Sequence, residues 1–321
     1  MKKILVTDLE YRKAQAVFEN EKRFECICAP TGEKALAQMV RDTGAFAVIA
    51  GVEKYSRELY EALAPGSLIA RFGVGHNSID KVLAAEKGIF CTNTPGALDD
   101  SVAESAIGMM LMAARKYFPA AANLKNGSWQ GSCGMELAGK TLVVCGCGNI
   151  GSRVAEIARN GFRMKVLGCD PFPVKRSELF DAVYQDPAEV FPLADILTLH
   201  LPETAENMDF INEKRISLLK DSAIIINTAR GGVMDENALF DALNSRRIAG
   251  AALDVFKSEP YSPQDENRDL RTLDNALLLP HLGSSTFEAC ERMAEIALKN
   301  VALAAEKRYS EMDLLQPAPE F

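Results

Sequence analysis

The run Leu142-Val143-Val144-Cys145-Gly146-Cys147-Gly148-Asn149-Ile150-Gly151 constrains the fold of this chain more than any other segment. Apolar residues lead straight into G-x-G-x-x-G, and a helical repeat follows over Ile150–Asn160. Such a backbone must turn tightly at Gly146, lie open at Gly148 and let a helix pack closely on a strand at Gly151. The helix start presents unpaired N–H groups and the positive end of its dipole, so the loop suits an anion. Alone the motif is weak, because a plain turn also satisfies it. The next apolar run, Lys165–Cys169, ends at Asp170, 19 residues beyond Gly151. A carboxylate there can accept hydrogen bonds from ribose hydroxyls and repel a 2′-phosphate. Strand, loop, helix, strand and acid in this order predict dinucleotide binding through Gly146, Gly148, Asn149, Ile150, Gly151 and Asp170. Asp170 favours NAD over NADP, a preference tempered by Lys175 and Arg176 nearby.

The strand-then-helix theme runs along the whole chain. Lys3–Thr7, Phe24–Cys28, Ala47–Ala50, Leu68–Phe72 and Ile89–Thr92 read as strands, with helical segments such as Gly32–Arg41 and Ser56–Leu63 between them. A second series comprises Thr141–Cys145, Lys165–Cys169, Ile196–Leu199, Ala223–Asn227, Gly250–Asp254 and Leu277–Leu279. Alternation of this kind predicts parallel sheets covered by helices. The predicted fold class is α/β, with two Rossmann-like or flavodoxin-like parallel-sheet domains. Long helical patterns at about Asp100–Lys116 and Phe287–Arg308 flank the second series. If the last helix returns to the first module, the nucleotide-binding domain (98–285) is an insertion in a substrate domain split into 1–97 and 286–321.

A chain of 321 residues has material for about two domains. Its 36 Lys+Arg against 44 Asp+Glu, with no basic run, work against a nucleic-acid partner. The apolar start meets Asp8 at once, too soon for a signal-peptide core, and the longest apolar stretch, Ala106–Ala114, is half a membrane span. A soluble cytoplasmic protein with no membrane partner is expected. Of the eight cysteines, Cys26/Cys28 and Cys145/Cys147 form C-x-C pairs, but no second pair stands at zinc spacing. They read as small buried thiols, and no metal site is expected.

Three polar residues follow strand ends in the second series, where open parallel sheets bind ligands. Arg230 follows Ile224–Ala229, Glu259 follows Ala251–Ser258, and His281 follows Leu277–Pro280. In a functional reading, Arg230 offers a permanently charged two-donor fork to a carboxylate and its neighbouring carbonyl. His281 exchanges a proton with a hydroxyl or carbonyl oxygen, and Glu259 orients the imidazole and stabilises its protonated form. A surface salt bridge beside a core histidine would satisfy the spacing equally well.

Whole-chain resemblance separates these readings. The sequence resembles the D-isomer-specific 2-hydroxyacid dehydrogenases at Arg71–Asp80, at Asn93–Gly96 with Ser101–Glu104, and at Leu142–Gly151. It does so again at His200–Thr204, Ile226–Gly232, Asp254–Phe256 with Glu259-Pro260, and Pro280–Ser284. The resemblance implies a split substrate domain closing on an inserted NAD domain, a homodimer, and hydride transfer between nicotinamide and carbon 2 of a small hydroxy acid. It carries over Arg230, Glu259 and His281 as the catalytic set and Arg71, Val74, Gly75 and Arg230 as substrate contacts. It also places His200, Pro202, Thr228, Ala229, Asp254 and Gly283 beside the cofactor, with His200 in a structural role.

Among branches, the sequence looks most like the phosphoglycerate dehydrogenases, because Arg71 stands before Gly73-Val74-Gly75 where an arginine can reach a substrate phosphate. Several residues depart from that pattern. Asn77 and Ser78 replace a usual acid and amide, Leu98 stands where many members have Asn, and Ala50-Gly51 stands where phosphoglycerate enzymes often have Arg-Ser. Reduction of unphosphorylated keto acids such as hydroxypyruvate, glyoxylate or a D-lactate-type substrate is the alternative. An NAD-responsive corepressor-like binding protein is a more distant one. A zinc alcohol dehydrogenase fits poorly, since His200 has no accompanying Cys/His set. The chain ends 40 residues after His281, so a C-terminal regulatory domain responding to serine is not expected.

Overall fold

The computed structural model describes residues 1–316. The chain divides into two units: Met1–Leu98 together with the chain from Ser284 onward, and Asp99–Gly283. The expected substrate-domain segment 286–321 lies outside the described residues beyond 316.

Each unit is built on one parallel sheet. In the first, β1 (Lys2–Thr7), β2 (Phe24–Ala29), β3 (Ala47–Ala50), β4 (Leu68–Arg71) and β5 (Phe90–Thr92) lie in the order β2-β1-β3-β4-β5. The second contains β6 (Thr141–Cys145), β7 (Lys165–Cys169), β8 (Ala182–Tyr184), β9 (Ile196–Leu199), β10 (Ile224–Asn227), β11 (Gly250–Leu253) and β12 (Ala276–Leu278). Their order is β12-β11-β10-β9-β6-β7-β8. The α/β class with two parallel sheets therefore holds as expected from the alternation. β8 was not anticipated: it has three residues, lies at the sheet edge and is only partly buried, so it lacks a sustained apolar run.

Burial explains why the other strands are legible. β3, β4, β9, β10 and β11 are buried at every position, as strands covered on both faces must be. Successive side chains still sort to opposite faces. Leu142 and Val144 join a core with Ala103, Met110 and Val154, whereas Val143 and Cys145 join another with Leu197, Ile225 and Leu239. The helix at Asp99–Ala114 buries Val102, Ala103, Ala106, Ile107, Met109 and Met110 and packs on the helix at Asn149–Phe162.

The last helix spans Phe287–Ala305, three residues short of the expected end, because the chain turns through Lys307 at φ 60°. It belongs to the first unit. Arg292 Nε donates to the Ala97 carbonyl at 2.8 Å, and the Leu315 N–H donates to the Cys91 carbonyl at 2.9 Å.

In each sheet the order of chain progression reverses once, between β1 and β3 and between β6 and β9. The crevice outside the strand ends at such a reversal is where open α/β sheets bind ligands. The cysteines are not uniformly buried as expected. Cys91, Cys145, Cys147, Cys169 and Cys290 are, Cys26 is half-buried, and Cys28 and Cys133 are exposed; Cys28 lies on β2, which among the described residues has no neighbour on its outer side. No helix among the described residues is long and apolar enough to cross a membrane.

Candidate active site

The glycine loop follows β6 at the reversal of the second sheet. Gly146 has φ 89°, and a Cβ there would stand 2.5 Å from the His200 carbonyl oxygen. At Gly151 a Cβ would meet the Gly146 carbonyl oxygen at 2.0 Å. Gly148 differs: an added Cβ meets nothing within 4 Å, and the residue caps the following helix without a side-chain hydrogen bond. The first-turn N–H groups of Asn149, Ile150 and Gly151 have no intrahelical acceptors. Asp170 is tied to the loop, its Oδ2 accepting the Cys147 N–H and its Oδ1 the Phe172 N–H, both at 2.9 Å. Each oxygen keeps a lone pair for a further donor. Open donors followed by an ionisable acceptor fit a dinucleotide.

The second rim of this crevice carries His200, Pro202, Thr228 and Ala229. The His200 N–H donates to the Cys145 carbonyl at 2.7 Å, and its Nε2 lies 3.0 Å from Thr198 Oγ1. Burial pulls the imidazole down to about 3, so it is neutral at ordinary pH. The Pro202 carbonyl accepts from Asn207 Nδ2 at 2.9 Å. Thr228 Oγ1 is buried with no hydrogen-bond partner among the described residues, a hydroxyl in want of a partner.

Arg230, Glu259 and His281 sit in the loops after β10, β11 and β12. Asn227 shapes the first: its Oδ1 accepts the Ala229 N–H and its Nδ2 donates to the Arg230 carbonyl, both at 3.0 Å. Gly231 then presses against the next loop, where a Cβ would fall 1.9 Å from the Phe256 carbonyl carbon. Arg230 Nη1 donates to the Ala229 carbonyl at 2.6 Å. Burial lowers the guanidinium's affinity for its proton, and the charges of Glu203 and Glu259 oppose that. Glu259 Oε1 accepts the Phe256 N–H at 3.0 Å, and Oε2 lies 2.7 Å from His281 Nδ1. Burial works to raise the Glu259 carboxyl, but His281, the Phe256 N–H and Arg230 together hold it below the usual carboxylate range.

His281 has φ 55°, a left-handed backbone rarely adopted by a bulky residue. Asp254 imposes it. Its carbonyl accepts the His281 N–H at 2.9 Å, and Oδ1 and Oδ2 accept the Leu282 and Gly283 N–H groups, each at 2.7 Å. Burial raises the Asp254 carboxyl despite these two bonds. Ser101 Oγ donates to the Gly283 carbonyl at 2.8 Å, closing the turn.

Sequence reading missed the acids that hold these loops. Glu203 Oε2 accepts the Gly232 N–H at 3.0 Å, and Glu236 Oε1 accepts the Lys257 N–H at 2.7 Å. Glu203 lies inside a matched motif, but its partner is 29 positions away, and no local spacing signals such a bond.

In the first unit, Arg71 is 7% exposed and its Nη1 donates to the Phe72 carbonyl. Gly73, at φ 142°, accommodates that guanidinium, since a Cβ there would stand 2.7 Å from Nη1. The Val74 carbonyl accepts from Asn93 Nδ2 at 2.7 Å. Among the described residues the N–H groups of Val74 and Gly75 find no acceptor, leaving two adjacent donors for an anion.

Residues 107–283 match the family described as D-isomer specific 2-hydroxyacid dehydrogenase, NAD binding domain. The D-3-phosphoglycerate dehydrogenase of Methanocaldococcus jannaschii is 40% identical over 305 residues, which are 94% of this chain but only 57% of that protein. The glyoxylate reductase of Thermococcus litoralis is 39% identical over 276 residues, 83% of this chain and 82% of that one. The apo-structure of D-lactate dehydrogenase from Escherichia coli superposes with a TM-score of 0.85 at 29% identity, covering 98% of this chain and 100% of that one.

Proposed function

From the premise that this chain belongs to the D-isomer specific 2-hydroxyacid dehydrogenase family, we propose that it interconverts a small D-2-hydroxy acid and its 2-keto acid with NAD, using Arg230, Glu259 and His281 as catalytic residues. It is an oxidoreductase acting on CH–OH with a nicotinamide dinucleotide. The observation that carries the proposal is the 2.7 Å contact between His281 Nδ1 and Glu259 Oε2, in a loop set adjoining that of Arg230.

When bound, the nicotinamide supplies the hydride in reduction and accepts it in oxidation. His281 Nε2, turned away from Glu259, donates its proton to the substrate carbonyl oxygen in reduction and removes it from the hydroxyl in oxidation. Glu259 holds the ring and stabilises the imidazolium. Arg230 pairs with the substrate carboxylate and with the charge developing on the oxygen. Within the first unit, the adjacent N–H groups of Val74 and Gly75 offer two donors to an anionic group. For the cofactor, the open helix start at Asn149–Gly151 would receive the pyrophosphate and Asp170 the ribose hydroxyls. His200, Pro202, Thr228, Ala229, Asp254 and Gly283 would border the rest. NAD is favoured over NADP because Asp170 would repel a 2′-phosphate; of the two nearby cations, Lys175 and Arg176, the second sits 3.4 Å from Glu156.

Two substrates compete within this reading. Phosphoglycerate oxidation rests on Arg71 and on general likeness to that branch. An unphosphorylated keto acid is favoured by the end of β3. There a Cβ on Gly51 would stand 2.5 Å from Glu10 Oε1 and 2.7 Å from Glu53 Oε2. Carboxylates thus occupy a place where a phosphate would need cations. Initial rates with NADH and NADPH against glyoxylate, hydroxypyruvate, phosphohydroxypyruvate and pyruvate test the reading. Turnover of a keto acid with NADH preferred is expected; NADH binding without turnover of any would overturn it. We also propose a homodimer, supported by the outward apolar side chains of Tyr117, Leu124 and Trp129.

A further inference from the structure

We propose that Glu236 is a positioning residue for the reaction, setting the loop that carries Glu259 against the loop that carries Arg230. The inference rests on the catalytic reading above. Glu236 opens the helix at Glu236–Asn244, six residues after Arg230, and is only 4% exposed. A glutamate in a first helical turn ordinarily points to water, where its charge favours the dipole at no desolvation cost. This one is turned inward, and its Oε1 accepts the Lys257 N–H at 2.7 Å. That N–H lies two residues before Glu259 and adjoins the peptide whose Phe256 N–H donates to Glu259 Oε1.

Other contacts join the same two loops. Gly231 packs against the Phe256 carbonyl carbon, so the two loops touch backbone to backbone. Lys257 Nζ reaches Asp209 Oδ1 at 2.5 Å, and the Asp209 N–H donates to the Gly232 carbonyl at 2.9 Å. Phe256 is anchored by burial and by Tyr261, whose ring lies 4.7 Å away. Glu236 adds a hydrogen bond from its own side chain to the backbone of the Glu259 loop, tying that backbone directly to the segment leaving Arg230. Glu236 Oε2 is buried without a hydrogen-bond partner among the described residues, and burial raises the carboxyl, the Lys257 N–H and ammonium opposing the rise and Asp209 and Asp235 adding to it. A group held at that cost in desolvation does something an apolar side chain would not.

The test is a double-mutant cycle on the full-length protein, reading kcat, the pH profile of keto-acid reduction and NADH affinity. Glu236→Ala should lower kcat about ten- to a hundredfold, the range expected when a catalytic group is misplaced by about an ångström. It should change the pH profile in the same way as Glu259→Gln, with NADH affinity retained. Glu236→Gln, which keeps the acceptor oxygen, should restore most of the rate. In a Glu259→Gln background, Glu236→Ala should cost little more, because the two act through one path. Glu236→Asp, which withdraws the oxygen by one methylene, takes its place should the alanine variant not fold. A fully additive loss in that background, an unmoved pH profile or a failure of Gln to rescue would overturn the proposal. If Glu259→Gln by itself changes neither rate nor profile, the catalytic reading fails, and this inference with it.

Discussion

Glu259 Oε2 and His281 Nδ1 lie 2.7 Å apart, although 22 residues separate them. The contact decides which ring nitrogen of His281 is available, because the carboxylate claims Nδ1–H and turns Nε2 outward. The other oxygen of Glu259 is committed to the Phe256 N–H, so the carboxylate cannot rotate freely. The pair is therefore set in orientation before any substrate arrives.

Replacing Glu259 by Gln removes a charge and keeps the shape. The Glu259 carboxyl is held below the usual carboxylate range by His281 and its other partners against the upward push of burial, so it is ionised throughout the neutral range. In the variant the His281 ring loses its charged partner at Nδ1. The pH profile of keto-acid reduction should change, with a loss of about tenfold or more in kcat. An unshifted profile would show that the carboxylate does not act through the imidazole.

His281→Ala removes the proton donor and leaves the cofactor loop untouched. Turnover should fall about 10²- to 10⁴-fold, while NADH titration by fluorescence gives a near-normal Kd. Near-normal turnover would remove His281 from the mechanism.

Arg230→Lys keeps one positive charge but loses the planar two-donor fork. A loss of about a hundredfold in kcat/KM is expected, carried by both kcat and KM because the side chain serves carboxylate and developing oxyanion alike. An unchanged kcat/KM would reduce Arg230 to a partner of Glu203 and Glu259.

Asp170→Ala should weaken NADH about tenfold and narrow the preference over NADPH, since a ribose acceptor and a repulsive charge disappear together. Part of the loss will be structural, because Asp170 also receives the Cys147 and Phe172 N–H groups. Comparing NADH and NADPH on the same variant separates the two effects: a uniform loss is structural, an altered ratio is recognition.

Gly231→Ala tests the packing of the loops. A Cβ at 1.9 Å from the Phe256 carbonyl carbon forces the backbones apart, at a cost of about 1–3 kcal/mol. A lowered Tm together with lost turnover is expected; a wild-type Tm would mean that the loops separate without penalty.

Trp129→Glu tests the assembly. Trp129 is 91% exposed in the isolated chain, and light scattering should find a dimer for the wild type and a larger monomer fraction for the variant. A wild-type monomer would overturn the dimer.

Much of this molecule is legible without coordinates. Ile224-Ile225-Ile226 announces a strand covered on both faces, and Gly146, Gly148 and Gly151 announce the turn, because these constraints act between residues close in the chain. Asp170 is legible for the same reason, at a fixed distance along one βαβ unit. β8 is not, since three residues at an edge, two half-buried and one exposed, carry no sustained pattern.

The acids that hold the site were invisible to sequence reading for a different reason. Glu236 reads as an ordinary helix-start glutamate, and its turn inward to the Lys257 N–H depends on a backbone 21 residues further on. Arg71 reads as a strand-end arginine able to reach a substrate phosphate, yet tertiary packing buries it against Phe72 and Gly73. Hydrophobic periodicity and glycine spacing are local, so the sequence by itself determined the strands, the dinucleotide loop and the identity of three polar residues at strand ends. Only the tertiary structure decided their partners, because a hydrogen bond joins groups by distance in space. It thereby selected the nitrogen His281 presents and the acids, Asp254, Glu203 and Glu236, that keep its loops in place.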